Sequence, residues 1–128
     1  MPHPRSVLRV LVVDDNDDSA RSLAWLIGSW GFDARVATDG RSGLELAAEY
    51  CPNVILCDVA MPGMSGLELA RRLRANGHSD VALIAITAYG TEQDRDRTRE
   101  AGFHTHFVKP VEPEELRRIL RQCSMPGA

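Results

Sequence analysis

Val54-Ile55-Leu56-Cys57-Asp58-Val59-Ala60-Met61-Pro62-Gly63 runs four apolar or near-apolar residues straight into a carboxylate. Pro62-Gly63, with Ser65-Gly66 just beyond, then stops any regular structure. The run reads as a buried strand with Asp58 at its mouth. An acid in that position costs free energy unless something pairs with it. Asp58 therefore needs partners, and the rest of the chain supplies candidates.

The same form recurs on either side. Residues 7–13 (VLRVLVV) are short, apolar and β-branched, a strand buried on both faces, and they end in Asp14-Asp15-Asn16-Asp17-Asp18. Residues 81–87 (VALIAIT) repeat the pattern and end at Thr87. Residues 34–38 form a short strand, and 104–109 form another that closes on Lys109 before Pro110 breaks it. Helical spacing fills the gaps. In 19–30, Ala20, Leu23, Ala24, Ile27 and Trp30 share a face; Asp17 or Asp18 is expected to cap its start, and Gly31 follows its end. Residues 41–50 turn Leu44, Ala47 and Ala48 inward, and Pro52 prevents continuation. Residues 67–75 bury Leu67, Ala70, Leu73 and the stem of Arg74. Residues 91–101 open on Thr91 and Asp94 as a capping box, and 112–123 turn Leu116, Ile119 and Leu120 inward. Five strands alternating with five helices predict an α/β fold, a parallel sheet with helices on both faces.

At 128 residues the chain is expected to be one domain, 1–128, with its core at about 7–123. The hydrophobic share of 44% and charged share of 26% are those of a globular protein. A net charge of -3 gives no reason to expect nucleic-acid or membrane binding. No apolar run approaches the roughly 20 residues of a membrane span. Cys51, Cys57 and Cys123 are an odd count without CxxC spacing, which argues against a zinc site or a disulfide framework and for a cytoplasmic location.

Sheets of this kind place their sites outside the C-terminal ends of the strands. Asp14, Asp15, Asp58, Thr87 and Lys109 all fall there. Clustered carboxylates raise one another's pKa, and a hard divalent cation such as Mg²⁺ relieves them. A lysine and a hydroxyl beside it suit phosphoryl oxygens. An aspartate on a rigid strand end can attack a phosphoryl donor and become an acyl phosphate.

These residues fall in LVVDDN at 11–16, CDVAMPGMSG at 57–66, ITAY at 86–89 and FVKP at 107–110. In that order and spacing the chain resembles the response-regulator receiver domains of two-component signalling. The resemblance implies a flavodoxin-like sheet of order 2-1-3-4-5 and a receiver that catalyses only its own phosphorylation and dephosphorylation. It implies Asp58 as phospho-acceptor and Asp15, Asp58 and the Ala60 backbone carbonyl as direct Mg²⁺ ligands, with Asp14 acting through a metal-bound water. Lys109 would contact the phosphoryl group, Thr87 would move to hydrogen-bond it, and a cis peptide would precede Pro110. The donor would be a phosphohistidine on a sensor histidine kinase or histidine phosphotransfer protein docked near the first helix. The fourth helix, fifth strand and fifth helix would switch for a downstream partner.

The chain departs from the family in places. The switch position on the fifth strand, commonly Tyr or Phe, is His106. Ala60 stands where many relatives carry a polar side chain, and Tyr89 follows the switch threonine by two; both favour a long-lived phosphoryl state. His106 with Pro110-Val111-Glu112-Pro113 resembles receivers attached to hybrid kinases. Trp25 lies opposite the apolar stripe of its helix and is a candidate partner contact. The polar 91–101 helix leaves only Thr98 and Ala101 for the sheet and is expected to open readily. Two other functions fit parts of the chain. Asp15-Asn16-Asp17 is a DxD after a strand, as in haloacid-dehalogenase-type phosphohydrolases, with Asp15 as nucleophile. A receiver-like interaction module without phosphorylation is the other.

Overall fold

The computed structural model describes residues 7–78 and 80–124; the ends of the expected domain, 1–6 and 125–128, lie outside the described residues. The elements are β1 (Arg9–Val13), α1 (Asp17–Ser29), β2 (Asp33–Ala37), α2 (Gly40–Tyr50), β3 (Val54–Asp58), α3 (Gly66–Ala75), β4 (Ala82–Thr87), α4 (Glu92–Ala101), β5 (Thr105–Val108) and α5 (Pro113–Ser124). All strand pairs are parallel, in the order β2-β1-β3-β4-β5. This is the flavodoxin-like order expected from the sequence. The chain winds outward from β1 to β2 and then crosses back to β3. The switch point therefore falls between β1 and β3.

Alternation along the central strands divides the core. Leu11, Val13, Ile55, Cys57, Leu83 and Ala85 face α2, α3 and α4, meeting Ala47, Leu69, Leu73 and Ala101. Val10, Val12, Val54, Leu56, Ile84 and Ile86 face α1 and α5, meeting Ala20, Ile27, Leu116 and Leu120. Each fully buried aliphatic side chain stabilises by about 1.5–3 kcal/mol. The central three strands are thus the rigid platform, whereas β5 is an edge strand whose side chains are half-buried or exposed.

Three local expectations are corrected. Asn16, not Asp17 or Asp18, caps α1: its side chain accepts from Ser19 N–H at 3.0 Å. The helix starts earlier than 19, so Asp17 is already helical and pairs with Arg21. Ala48 is exposed; α2 instead buries Gly43, Ala47 and Tyr50, a stripe at i, i+4 and i+7. In α3, Leu69 joins Ala70 and Leu73 inside, while Leu67 is half-buried.

α4 buries only Thr98 and Ala101 among its residues, and Thr91 caps it through Asp94 N–H at 3.1 Å. Its Arg99–Asp96 pair is exposed and holds little. The firmer tether is Arg74. Its guanidinium donates to Gly102 O at 2.8 Å, His78 O at 2.7 Å and Val81 O at 3.0 Å. One side chain thus joins the end of α3 to the connections around β4 and β5. Among the described residues no helix is long and apolar enough to cross a membrane.

Candidate functional site

Strand register assembles the site. Val13 pairs with Cys57, so Asp14 and Asp58 emerge side by side from β1 and β3. Asp58 pairs with Ile86, which puts Thr87 one residue farther on β4, and Thr87 pairs with Val108, which puts Lys109 one residue past β5. The Lys109 N–H donates to Thr87 O at 2.8 Å, and the Lys109–Pro110 peptide is cis.

Asp58 is 6% exposed. Its Oδ1 accepts from Ala60 N–H at 3.1 Å and its Oδ2 from Lys109 Nζ at 3.2 Å. Asp14 is 9% exposed, and its Oδ1 accepts from Asn16 N–H at 3.0 Å. Asp15 is exposed. One carboxylate oxygen from each of Asp14, Asp15 and Asp58 lies within 4.8 Å of the others. Burial pushes the Asp14 carboxyl above the usual range; the neighbouring Asp58 and Asp15 charges add to this, and the Asn16 N–H and Lys109 oppose it. Lys109 alone cannot offset three carboxylates. An all-oxygen donor set with surplus negative charge fits a hard divalent cation, and Mg²⁺ suits a few carboxylates completed by water or phosphate oxygens.

The loop after β3 is held close by Gly66. A Cβ there would lie 2.5 Å from Asp58 O and 2.8 Å from Val59 Cα, so only glycine allows α3 to start against the strand end. The Gly66 N–H donates to Val59 O at 2.9 Å. The Ala60 backbone is thereby fixed beside Asp58, and its side chain adds no polar group.

Thr87 is buried, but its hydroxyl is engaged with Tyr89: it donates to Tyr89 O at 3.0 Å and accepts from Tyr89 N–H at 3.1 Å. The Tyr89 ring is exposed. His106 is half-buried on β5, level with Ala85. Burial lowers its imidazole pKa, Arg95 lowers it further, and Asp94 opposes them.

α1 presents two separate surfaces. A cavity of about 470 Å³ beside the carboxylates is lined by Asp14 and Lys109, by Ser19, Ser22 and Leu26 of α1, and by Val111. Trp25, 76% exposed, instead lines a groove with Ala34 and Val36 of the edge strand β2. The sequence reading singled out Trp25 and missed Ser22 and Leu26. Serines and leucines at the boundary of an amphipathic helix carry no signal until the β5–α5 connection is placed beside them.

The profile of the family described as "Response regulator receiver domain" matches residues 10–121. An uncharacterized 14.6 kDa protein of Leptolyngbya boryana is 37% identical over 114 residues, 88% of this chain and 87% of that one. Response regulator MprA of Mycolicibacterium vanbaalenii is 35% identical over 121 residues, 91% of this chain and 52% of MprA. The chain thus spans most of the first relative and about half of the second. Among solved structures, Vibrio cholerae chemotaxis protein CheY4 superposes with a TM-score of 0.87 at 26% identity, covering 92% of this chain and 99% of that one.

Proposed function

The chain belongs to the response-regulator receiver family of two-component signalling, and on that premise we propose that it is a single receiver domain in which Asp58 accepts a phosphoryl group from a phosphohistidine. The observation that carries this reading is the 3.2 Å contact of Lys109 Nζ with Asp58 Oδ2 inside the Asp14–Asp15–Asp58 cluster. Mg²⁺ would be held by Asp15, Asp58 and the Ala60 carbonyl, and by Asp14 through water, and would supply Lewis-acid stabilisation of the phosphoryl oxygens.

A carboxylate oxygen of Asp58 bonds to phosphorus as the P–N bond to the donor imidazole breaks, and the imidazole leaves. The rigid end of β3 holds Asp58 for this attack, and Lys109 offsets charge on the transferred group. Thr87 then exchanges its two bonds to Tyr89 for a bond to a phosphoryl oxygen. Two neutral hydrogen bonds contribute about 0.5–1.5 kcal/mol each, and one to a charged group about 1.5–3 kcal/mol. The exchange is near balance, as a switch requires. His106 follows Thr87, and the α4–β5–α5 face becomes the signal for a downstream partner. The cavity between α1 and Val111 is the approach for the donor imidazole.

Asp58 is favoured over Asp15 as nucleophile because it carries the lysine and is held at both oxygens, whereas Asp15 is exposed. The intact cluster likewise disfavours an interaction module without chemistry. The test uses a phosphohistidine-bearing phosphotransfer protein as donor. Transfer to this chain with Mg²⁺, and its loss on chelation, supports the reading; no transfer from any such donor or small phosphodonor sinks it. The Trp25→Ala variant in the same assay shows whether the second surface of α1 takes part.

A further inference from the structure

β2 is the outermost strand on its side of the sheet and pairs with β1 along one side only. The Asp33 N–H donates to Leu8 O at 3.0 Å, and Ala37 O accepts from Asp14 N–H at 3.1 Å. By the two-residue alternation of a strand, residues 33, 35 and 37 spend their backbone groups on β1. Ala34 and Val36 therefore turn their N–H and C=O groups to the open edge, as does the Phe32 carbonyl. Trp25 of α1, 76% exposed, overhangs that edge and lines a groove of about 710 Å³ with Arg21, Ala34 and Val36. We propose that this edge receives a second copy of the chain, the two β2 strands pairing antiparallel about Ala34 with the two Trp25 rings closing over the join.

Charge selects both the occupant and the register. Neither a proline nor a run of like charge blunts the strand; its exposed residues are Asp33 and Arg35, of opposite sign. Centred on Arg35, an antiparallel pairing would set Arg35 against Arg35. Centred on Val36, it would leave Asp33 without a charged partner. Centred on Ala34, it sets Asp33 of each copy opposite Arg35 of the other, at positions where side chains approach most closely. Ala34 then exchanges hydrogen bonds with Ala34 of the second copy, and the Val36 N–H meets the Phe32 carbonyl across the join. One patch thus complements itself under a two-fold axis, as an isologous contact requires.

The two faces of the joined sheet agree with this register. Asp33 and Arg35 are already oriented on the α2 face by Tyr50, whose hydroxyl donates to Asp33 Oδ2 at 2.5 Å and whose ring lies 4.3 Å under the Arg35 guanidinium. Both remain exposed, so each can add the cross-copy partner without losing Tyr50. On the other face Ala34 and Val36 are half-buried against the α1 side of the core. A two-fold axis through Ala34 brings the two α1 helices onto that same face. The Trp25 rings then lie between them over an apolar strip, which removes a large exposed aromatic from water.

Sedimentation of the full chain across a concentration series, without phosphodonor, is the test. The parent should form a concentration-dependent dimer. Asp33→Arg and Arg35→Asp each place like charges opposite one another, and each should dimerise about tenfold more weakly or worse. Mixed in equal parts, the two variants restore opposite charges at both pairs, and the mixture should recover the parent's affinity, which two misfolded chains could not do. Ala34→Pro removes an N–H that β1 does not use and should abolish the dimer with the thermal transition retained; Trp25→Ala should weaken it about tenfold. A parent that stays monomeric up to about 1 mM, a dimer unchanged in Ala34→Pro, or a mixture no tighter than its components overturns the proposal. Phosphotransfer to Asp58 is read by a different assay, so either conclusion can fail without the other.

Discussion

Lys109 Nζ lies 3.2 Å from Asp58 Oδ2 although 51 positions separate the two residues. Two steps of strand register make the contact: Asp58 is level with Ile86, and Thr87 with Val108. The lysine backbone is pinned to Thr87 O, so the cation and the Thr87 hydroxyl share one anchor. Removing the cation leaves Asp58 and its carboxylate neighbours less compensated. The Lys109→Ala variant is expected to take up phosphate from a small phosphodonor about a hundredfold more slowly or worse, as for other lost charge-stabilising groups. Rates within a factor of about two of the parent would remove Lys109 from the mechanism.

The exposed backbone turn at Ala60 leaves the flank of Asp58 without a side chain that could orient water. The phosphoryl group should therefore persist for minutes or longer. Ala60→Gln should shorten its lifetime by roughly tenfold or more by placing a polar group for the attacking water. Hydrolysis of the parent acyl phosphate within seconds would contradict this account of Ala60.

Much of this was legible in the sequence, for identifiable reasons. Short β-branched runs that end in Asp14, Asp58 and Thr87 mark the buried strands, and their alternation with helices leaves few topologies. Local competition was harder to read. Asn16 outcompetes the aspartates as cap because α1 begins earlier than its apolar stripe. Ala48 carries no signal to separate an inner from an outer face, and the structure turns it outward. The Thr87–Tyr89 bonds and the Arg74 clasp depend on packing between distant segments. No single stretch encodes them.

His106 confers a pH dependence whose sign follows from its environment. Burial, with Arg95, lowers its folded-state pKa below the ordinary value of 6.5, against the weaker pull of Asp94. The unfolded chain therefore takes up the proton first as pH falls. The contribution of His106 to stability is complete above about pH 6.5 and is lost as pH falls through the folded-state value. His106→Phe should flatten the fall in urea midpoint between about pH 7.5 and pH 5. An unchanged slope would show that the imidazole titrates as if unfolded.

Arg74 is expected to control α4. The helix buries little of its own, and the guanidinium joins Gly102, at its end, to the β4 connection. Backbone amides of α4 should exchange with deuterium faster than those of β1. Arg74→Ala should lower stability by about 1.5–3 kcal/mol and accelerate exchange in α4 beyond that global loss. Equal protection of α4 and β1 would refute the picture of a loosely held α4.

The most direct test is to locate the phosphoryl group itself. The chain is treated with a small phosphodonor and Mg²⁺, and the acyl phosphate is reduced with borohydride, which converts the phosphorylated aspartate to homoserine. Peptide mass spectrometry should find homoserine at residue 58, none in Asp58→Asn, and none when Mg²⁺ is chelated. Homoserine at residue 15 with Asp58 unmodified, or no modification under any donor, would contradict the account.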